Sequence, residues 1–236
     1  MSSFFCAIGG GEIGRPGKKI ETYNLYKQIL KLTNIEYPRI LFIPAASNDS
    51  DSYCEVFKNY FENKHNCKVD CLLLIKENPK IDFIRKLFFQ SDIIYFSGGD
   101  SELLMDVLNR YKLKQLLEET IDNGINIVGF SAGGIMLFEK GISEKQGNLK
   151  IIEGYGFIEG VFCPHSNKKE ILKIKKIIDK SMGRIILSED ATAFLINSKK
   201  ETMLLKENFN KNIKIVKLED QKLVEEKCFK NNNSFA

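Results

Sequence analysis

One stretch of the sequence, residues 125–138, limits this chain to folds in which a strand runs directly into a helix. An apolar run typical of a strand ends at Gly129, and apolar residues at helical spacing follow it. Between them, residues 129–133 read Gly-Phe-Ser-Ala-Gly and match the G-x-S-x-G pattern of a nucleophile elbow, a strained turn that exposes its serine above a sheet. Ser131 is therefore the candidate nucleophile. In the alternative, Ser131 only caps the helix.

Strands and helices alternate along the rest of the chain. We predict strands at residues 4–8, 39–43, 68–75 and 92–96, and helices at residues 18–32, 53–61, 81–89 and 101–123. After the elbow we predict a helix at residues 168–182, strands at residues 184–187 and 191–196, edge strands at residues 201–205 and 213–218, and a frayed tail at residues 230–236. This order predicts an α/β fold: a three-layer α/β/α sandwich around a mostly parallel, doubly wound sheet, with a small C-terminal β edge.

Bulk composition restricts the class of protein. The 236 residues contain nothing that resembles a linker, so we expect a single domain over residues 1–236. The net charge of +4 is too small an excess to indicate a nucleic-acid partner. The N-terminus lacks the basic segment of a signal peptide, and no apolar run approaches the length of about 20 residues that spans a membrane. We therefore expect a cytoplasmic protein with no membrane partner.

The six cysteines indicate reduced structural thiols rather than a disulfide framework, because they form no C-x-x-C pair. They are Cys6, Cys54, Cys67, Cys71, Cys163 and Cys228. Cys67 and Cys71 have only one histidine near them in sequence, His65, so we expect no metal site.

Two glycine-rich loops follow predicted strands. The first, at residues 9–17, satisfies G-x-G-x-x-G, but Pro16 delays the helix and the second strand ends without an acid. It therefore favours a loop that needs backbone freedom over a nucleotide site. The second, at residues 97–101, is expected to lie near Ser131 at the carboxyl ends of the strands. Its glycines could present N–H groups to an oxyanion, while Asp100 or Ser101 could simply cap the next helix.

A base and an acid for Ser131 are available later in the chain. His165 follows a strand that ends at Pro164, whereas the other histidine lies in a polar run typical of exposed surface. His165 is therefore the candidate general base. Glu189 and Asp190 are adjacent carboxylates at another strand end; we choose Glu189 to orient the histidine, with Asp190 as the alternative. A polar hairpin without a catalytic role would also account for these acids.

The order serine, histidine, acid differs from that of a standard α/β-hydrolase, in which the acid precedes the histidine. The chain instead resembles the peptidase E and cyanophycinase family of serine peptidases, whose fold is similar to that of the class I glutamine amidotransferases. The matching segments are residues 42–47 (Phe-Ile-Pro-Ala-Ala-Ser), 96–100 (Phe-Ser-Gly-Gly-Asp), 129–133 and 164–165 (Pro-His), with residues 9–14 similar to bacterial members.

The resemblance implies a role for each matching residue. Ser131 matches the nucleophile, His165 the general base, and the N–H groups of Gly99 and Ala132 the oxyanion hole. Some relatives place the acid between the serine and the histidine, where this chain offers three glutamates, Glu139, Glu144 and Glu153. Asp100 departs from the asparagine of many members.

The predicted function is hydrolysis of small peptides through an acyl-enzyme on Ser131, without a metal or an organic cofactor. The resemblance implies aspartyl bonds as one substrate class. Gly98, Asp100 and Arg15 are candidate substrate contacts, Arg15 because an acidic substrate calls for a basic partner. An esterase or amidase using the same site and a non-catalytic module that binds a small metabolite are the alternatives. A homodimer is the candidate assembly.

Overall fold

Two β-sheets and the helices packed on them form the part of the chain that the structure, a computed structural model, describes: residues 3–219 and 222–226. The predicted tail at residues 230–236 and Cys228 lie outside the described residues. Among the helices of the described part, none is long and apolar enough to cross a membrane.

The strands are β1 (Phe4–Ile8), β2 (Arg39–Ile43), β3 (Lys68–Cys71), β4 (Ile93–Phe96), β5 (Asn126–Phe130), β6 (Phe138–Lys145), β7 (Asn148–Glu153), β8 (Ile158–Cys163), β9 (Arg184–Ser188), β10 (Thr192–Asn197), β11 (Thr202–Lys206), β12 (Ile213–Glu219) and β13 (Lys222–Glu225). The helices are α1 (Tyr23–Lys31), α2 (Asp51–His65), α3 (Ile81–Phe89), α4 (Ser101–Arg110), α5 (Leu113–Asp122), α6 (Ala132–Leu137) and α7 (Lys168–Ile174), and short 3-10 turns cover Ala45–Ser47 and Lys180–Met182.

The first sheet has the strand order β11-β10-β1-β5-β4-β2-β3. In the part of the sheet ordered β1-β5-β4-β2-β3, all neighbouring strands run parallel. Strand β10 pairs with β1 in antiparallel orientation, and β11 pairs with β10 in the same way. Because parallel strands end at the same edge of a sheet, the segments that follow β1, β4 and β5 meet there. These segments are the two glycine-rich loops and the elbow.

Side chains of the first sheet alternate between two apolar layers. In β2, Ile40 and Phe42 pack in the cluster that contains α1 and α2, whereas Leu41 and Ile43 pack in the cluster that contains α3 to α6. Strands buried on both faces form continuous apolar runs, as the sequence of β2 does. The predicted three-layer α/β/α arrangement around a mostly parallel sheet is confirmed.

The second sheet is larger than the sequence indicated. Its strand order is β13-β12-β9-β8-β6-β7, with parallel and antiparallel pairs. Phe162 and Ile186 face the core of the first sheet, whereas Cys163 and Leu187 face a third cluster that includes Ile174 of α7. The strand β11 is an edge strand as predicted, but β12 lies between β9 and β13.

Three predicted elements are shorter in the structure. Helix α1 begins at Tyr23 rather than at residue 18, and α7 ends at Ile174 rather than at residue 182. The strand β3 ends at Cys71, because the chain then leaves the sheet and the N–H groups of Ile75 and Lys76 donate to the carboxylate of Asp49. Apolar residues after a strand end therefore pack in the core without extending the strand.

Candidate active site

Ser131 lies in a strained turn between β5 and α6. Its backbone has φ 50° and ψ −103°, a conformation that costs about 1–3 kcal/mol for a residue with a side chain. A Cβ atom at Gly129 would lie 2.1 Å from the carbonyl oxygen of Gly133, and one at Gly133 would lie 2.5 Å from that of Phe96. The Ser131 N–H donates to the carbonyl of Ile8 at 2.9 Å. Both glycines of the elbow are thus required by close backbone contact.

The hydroxyl of Ser131 contacts His165. Its Oγ atom lies 2.8 Å from Nε2 of the imidazole. Within the described residues this hydroxyl makes no capping hydrogen bond to α6, so the alternative in which Ser131 only caps the helix does not hold. His165 itself has φ 55°, and its N–H donates to the carbonyl of Gly9 at 3.0 Å. The structure therefore brings together the predicted nucleophile and the predicted base.

The opposite side of the imidazole contacts Asp190. Its Oδ1 atom lies 2.6 Å from Nδ1 of His165. An ionised carboxylate only accepts hydrogen bonds, so Nδ1 carries the hydrogen and Nε2 is left to accept the proton of Ser131. About half of each side chain in the histidine and aspartate pair is exposed, 51% and 44%, so the pair opens to solvent.

Glu189, which we selected from the sequence as the orienting acid, is directed elsewhere. Its carboxylate accepts from the backbone N–H and the side-chain amide of Asn212, at 3.0 and 3.4 Å. Strands β9 and β10 belong to different sheets, so this segment is a crossing between sheets and not a hairpin. The chain turns at residues 190–191, where Ala191 has φ 60°, and the two carboxylates have different partners: that of Asp190 contacts His165 and that of Glu189 contacts Asn212. The prediction is corrected from Glu189 to Asp190.

The glutamates between the serine and the histidine have other partners. Glu139 accepts from the N–H of Gly160 at 2.8 Å, and Glu144 forms an ion pair with Lys173 at 3.1 Å. Glu153 lies 3.6 Å from the ammonium group of Lys140. Each of these carboxylates therefore has a partner other than His165.

The first glycine-rich loop packs directly on the histidine and aspartate pair. A Cβ atom at Gly10 would lie 2.1 Å from Oδ1 of Asp190 and 2.4 Å from Cε1 of His165. The carbonyl of Gly10 accepts from the N–H of Ala191 at 2.8 Å. The sequence indicated a loop that needs backbone freedom but not this contact. The strand order, which places β1 between β5 and β10, is the signal that would have revealed it.

The second glycine-rich loop lies beside the elbow. A Cβ atom at Gly98 would be 3.4 Å from Cβ of Ser131, and one at Gly99 would be 2.1 Å from the carbonyl oxygen of Ala46. Gly99 has φ 143°, which only glycine adopts readily. In the described part of the chain, no acceptor is paired with the N–H of Gly99 or of Ala132. The two predicted oxyanion donors are therefore free to bind a ligand oxygen.

Asp100 is held by its own helix and by a lysine. One carboxylate oxygen caps α4 by accepting from the N–H groups of Glu102 and Leu103, at 3.0 and 3.2 Å. The other lies 2.6 Å from Nζ of Lys145. The hydrogen bond from Lys145, with those from the helix, lowers the pKa of Asp100. The capping role that we considered is thus present.

The other two candidate substrate contacts also have protein partners. The backbone of Gly98 lies beside the hydroxyl of the half-buried Tyr53, and burial raises the pKa of that tyrosine to about 12. Arg15 forms an ion pair with Glu12 at 2.7 Å. Burial acts to raise the pKa of the Glu12 carboxyl, but hydrogen bonds from Arg15 and from the N–H of Gly14 outweigh it and lower that pKa.

A pocket of about 310 Å³ opens over Ser131 and His165. Strands β6 and β7 form one wall through Ile142 and Leu149, and α7 contributes Ile174. The other lining residues are Gly99, Ser101, Ile135, Ser143, Glu144, Pro164 and Glu170. The hairpin of β6 and β7 is joined to α4 by Lys145 with Asp100 and by Lys150 with Glu102. No sequence pattern predicts that these residues line the pocket, because the pairing of β6 with β8, which is distant in sequence, places them there.

A larger cavity, of about 760 Å³, lies away from these groups between β1, β8 and β10. Its lining includes Phe5, Phe157 and Ser198 but neither Ser131 nor His165. We place the candidate site in the smaller pocket, since Ser131 and His165 line that pocket. Elsewhere in the described residues, no cluster of three or more His, Cys, Asp or Glu side chains is arranged to hold a metal ion.

Comparison with known proteins identifies relatives of this chain. The chain is 35% identical over 161 residues to the uncharacterized peptidase YgaJ of Bacillus subtilis strain 168, a region that covers 67% of this chain and 66% of that protein. The chain thus spans slightly less than two thirds of the length of that relative.

Two solved structures share the fold. A peptidase from an acI-B1 Actinobacterium superposes with a TM-score of 0.70 at 23% identity, over 95% of this chain and 94% of that one. A putative peptidase E protein from Listeria monocytogenes EGD-e gives a TM-score of 0.66 at 18% identity, over 87% of this chain and 99% of that one. The sequence model of peptidase family S51 matches residues 5–204. The chain therefore belongs to peptidase family S51.

Proposed function

We propose that this protein is a serine peptidase that cleaves small peptides through an acyl-enzyme on Ser131, with His165 as general base and Asp190 as the acid that orients it. The observation that carries the proposal is the continuous hydrogen-bonded series from Ser131 Oγ to His165 Nε2, at 2.8 Å, and from His165 Nδ1 to Asp190 Oδ1, at 2.6 Å. Ser131 and His165 line an open pocket.

In the first half of the reaction, Nε2 of His165 takes the hydroxyl proton as Oγ of Ser131 attacks the substrate carbonyl carbon. The carbonyl oxygen becomes an oxyanion, which the N–H groups of Gly99 and Ala132 would bind. Each such donor typically contributes about 3 kcal/mol to transition-state stabilisation. His165 then gives its proton to the leaving amine, and an acyl-enzyme remains.

In the second half, water enters where the amine has left. His165 removes a proton from this water, which attacks the acyl carbonyl, and the same two N–H groups bind the second oxyanion. Ser131 recovers its proton as the acid product leaves. Asp190 keeps the imidazole in one tautomer and stabilises its charged form throughout.

Small peptides, and aspartyl peptides in particular, form the proposed substrate class. A pocket of about 310 Å³ lies at the lower end of the range for small-ligand sites. Its lining contains no lysine or arginine, and the cations beside it are Lys145, paired with Asp100, and Lys173, paired with Glu144. An aspartyl carboxylate of a substrate would bind one of these lysines by competing with its present partner.

A panel of dipeptides with α-aspartyl, β-aspartyl and uncharged residues on the acyl side tests both parts of the proposal. Ser131→Ala should abolish cleavage, whereas Ser198→Ala, which changes a serine of the larger cavity, should leave kcat/KM unchanged. Undiminished cleavage by Ser131→Ala would rule out the serine mechanism. Equal rates for aspartyl and uncharged dipeptides would rule out the aspartyl specificity alone.

A further inference from the structure

Two cysteines outside the candidate active site contact each other. Cys54 belongs to the second turn of α2, and Cys71 is the last residue of β3. Both side chains pack against the apolar cluster that contains Phe42 and Phe57. Both residues are half-buried and carry free thiols. The sequence, in which 16 residues separate them, gave no reason to pair them.

The sheet register independently places the two side chains together. Cys71 is the partner of Phe42 on the neighbouring parallel strand, so both side chains project from the same face of the sheet. That face is covered by α2, because the ring of Phe42 lies 3.9 Å from the ring of Phe57 and 5.1 Å from that of Tyr53. Cys54 is adjacent to Tyr53 and one turn before Phe57. Cys71 therefore faces the turn of α2 that carries Cys54.

The two thiols differ in chemical character. A hydrogen bond with Cys71 lowers the pKa of the Cys54 thiol, whereas that same contact, together with burial, raises the pKa of Cys71. A thiolate is the form of cysteine that attacks a disulfide. Cys54 is thus suited to attack first, and Cys71 to resolve the mixed disulfide that results.

The remaining cysteines of the described part lack this combination. Cys6 and Cys163 are fully buried, and burial alone raises the pKa of each thiol. Cys67 is also buried, and its thiol donates to the carbonyl of His65 at 3.6 Å. Among the residues that the structure describes, only Cys54 and Cys71 are both partly exposed and adjacent to another thiol.

We propose that Cys54 and Cys71 form a reversible intramolecular disulfide by exchange with a small-molecule disulfide. The Cys54 thiolate attacks one sulfur of oxidised glutathione, which forms a mixed disulfide and releases one glutathione thiolate. Cys71 then loses its proton and attacks the Cys54 sulfur, which releases the second glutathione thiolate. The cysteine pair is oxidised by two electrons and the glutathione disulfide is reduced by two.

Tryptic mapping without reduction tests the proposal on the full chain. Cys228 lies outside the described residues, so the variant Cys228→Ser serves as the background and removes that competing thiol. The folded protein is equilibrated with oxidised glutathione, free thiols are blocked with N-ethylmaleimide, and the chain is digested. Cys54 falls in the peptide of residues 40–58, Cys71 in that of residues 69–76, and Cys67 in that of residues 65–68. The three cysteines are therefore resolved from one another.

The expected product is peptide 40–58 joined to peptide 69–76, two hydrogen atoms lighter than the separate peptides, and reversed by dithiothreitol. Cys71→Ser should stop at a glutathione adduct on Cys54, and Cys54→Ser should give no intramolecular link. Three results would overturn the proposal: no joined peptide in fully oxidised glutathione, a joined peptide that forms only in urea, or a link from Cys54 to Cys67.

Discussion

Nδ1 of His165 lies 2.6 Å from Oδ1 of Asp190, and the carboxylate that precedes Asp190 in the chain does not reach the imidazole. The crossing from β9 to β10 fixes this choice between adjacent acids. It joins strands of different sheets at the edge where β5 ends, and thereby carries one carboxylate to the histidine.

Substitution of Asp190 should therefore lower kcat/KM, whereas substitution of Glu189 should leave it nearly unchanged. Asp190→Asn removes the acceptor that holds the imidazole tautomer, and we expect kcat/KM to fall by about 10²- to 10⁴-fold. Glu189→Gln retains an acceptor for the N–H of Asn212, so its kcat/KM should stay within a few-fold of the unmodified protein. Steady-state kinetics on one dipeptide compares them. A larger loss in Glu189→Gln than in Asp190→Asn would contradict the assignment.

Activity should require glycine at position 10. A side chain there would clash with the histidine and aspartate pair and would also strain the backbone. A Cβ atom there would lie 2.1 Å from Oδ1 of Asp190, so Gly10→Ala should displace the histidine and aspartate pair and lower kcat/KM by at least about 10², a loss seen for small misplacements of reacting groups. The matched control is Gly124→Ala, at another positive φ, 85°, with no atom within 4 Å of the added Cβ.

Both glycine variants should lose stability, by about 1–3 kcal/mol for a strained backbone. Thermal unfolding measures the loss of stability that both variants share. The kcat/KM of the folded protein distinguishes Gly10→Ala from Gly124→Ala. Full activity in Gly10→Ala would show that the loop does not constrain the pair.

The ion pair of Asp100 with Lys145 should stabilise the protein in a defined pH range. The folded-state pKa of Asp100 is lowered, first by the hydrogen bond from Lys145 and then by that from the N–H of Leu103. A carboxyl group with a lowered folded pKa contributes its stability above its ordinary value of 3.8, and this contribution is lost as the pH falls through the lowered value.

We therefore expect Asp100→Asn to have a lower Tm than the unmodified protein at neutral pH, and this difference to disappear at pH values below the lowered pKa. Because the pair is partly exposed, added salt should reduce the difference. Asp106→Asn, at an exposed position of the same helix, should show no such difference. A Tm difference for Asp100→Asn that is constant across this pH range would contradict the account.

The wall formed by β7 should limit what the pocket admits. Leu149→Trp adds volume inside a pocket of about 310 Å³, and a steric cost of about 1–3 kcal/mol corresponds to a loss of about 5- to 150-fold in kcat/KM. Leu172→Trp places the same ring on α7 at a position that is 65% exposed and outside the pocket lining, so it should leave kcat/KM unchanged. Equal effects of the two variants would exclude this pocket as the substrate site.

Much of the first sheet could be predicted from the sequence because its strands are buried on both faces. Runs such as residues 40–43 are continuously apolar, and glycines mark where the strands end. The second sheet could not be predicted in the same way. Its strands β6 and β7 expose many of their residues, and their partners are set by pairings distant in sequence.

The residues of the candidate site also fall into two groups, those that local sequence patterns mark and those that only the fold brings together. Ser131, Gly99 and His165 were identified because local patterns mark an elbow, a glycine loop and a strand end. The choice of Asp190 over Glu189 was not accessible, since it depends on which way each side chain of the crossing points. The contact of Gly10 with the pair likewise depends on the order of strands, which the sequence does not state.

Covalent labelling of Ser131 tests the central claim most directly. The protein is treated with a fluorophosphonate probe, digested, and the modified residue is identified by mass spectrometry. We expect a single adduct on Ser131, lost in Ser131→Ala, and strongly slowed in Asp190→Asn because the histidine is no longer oriented. An adduct on another serine, or no adduct on folded protein that cleaves peptides, would contradict the account.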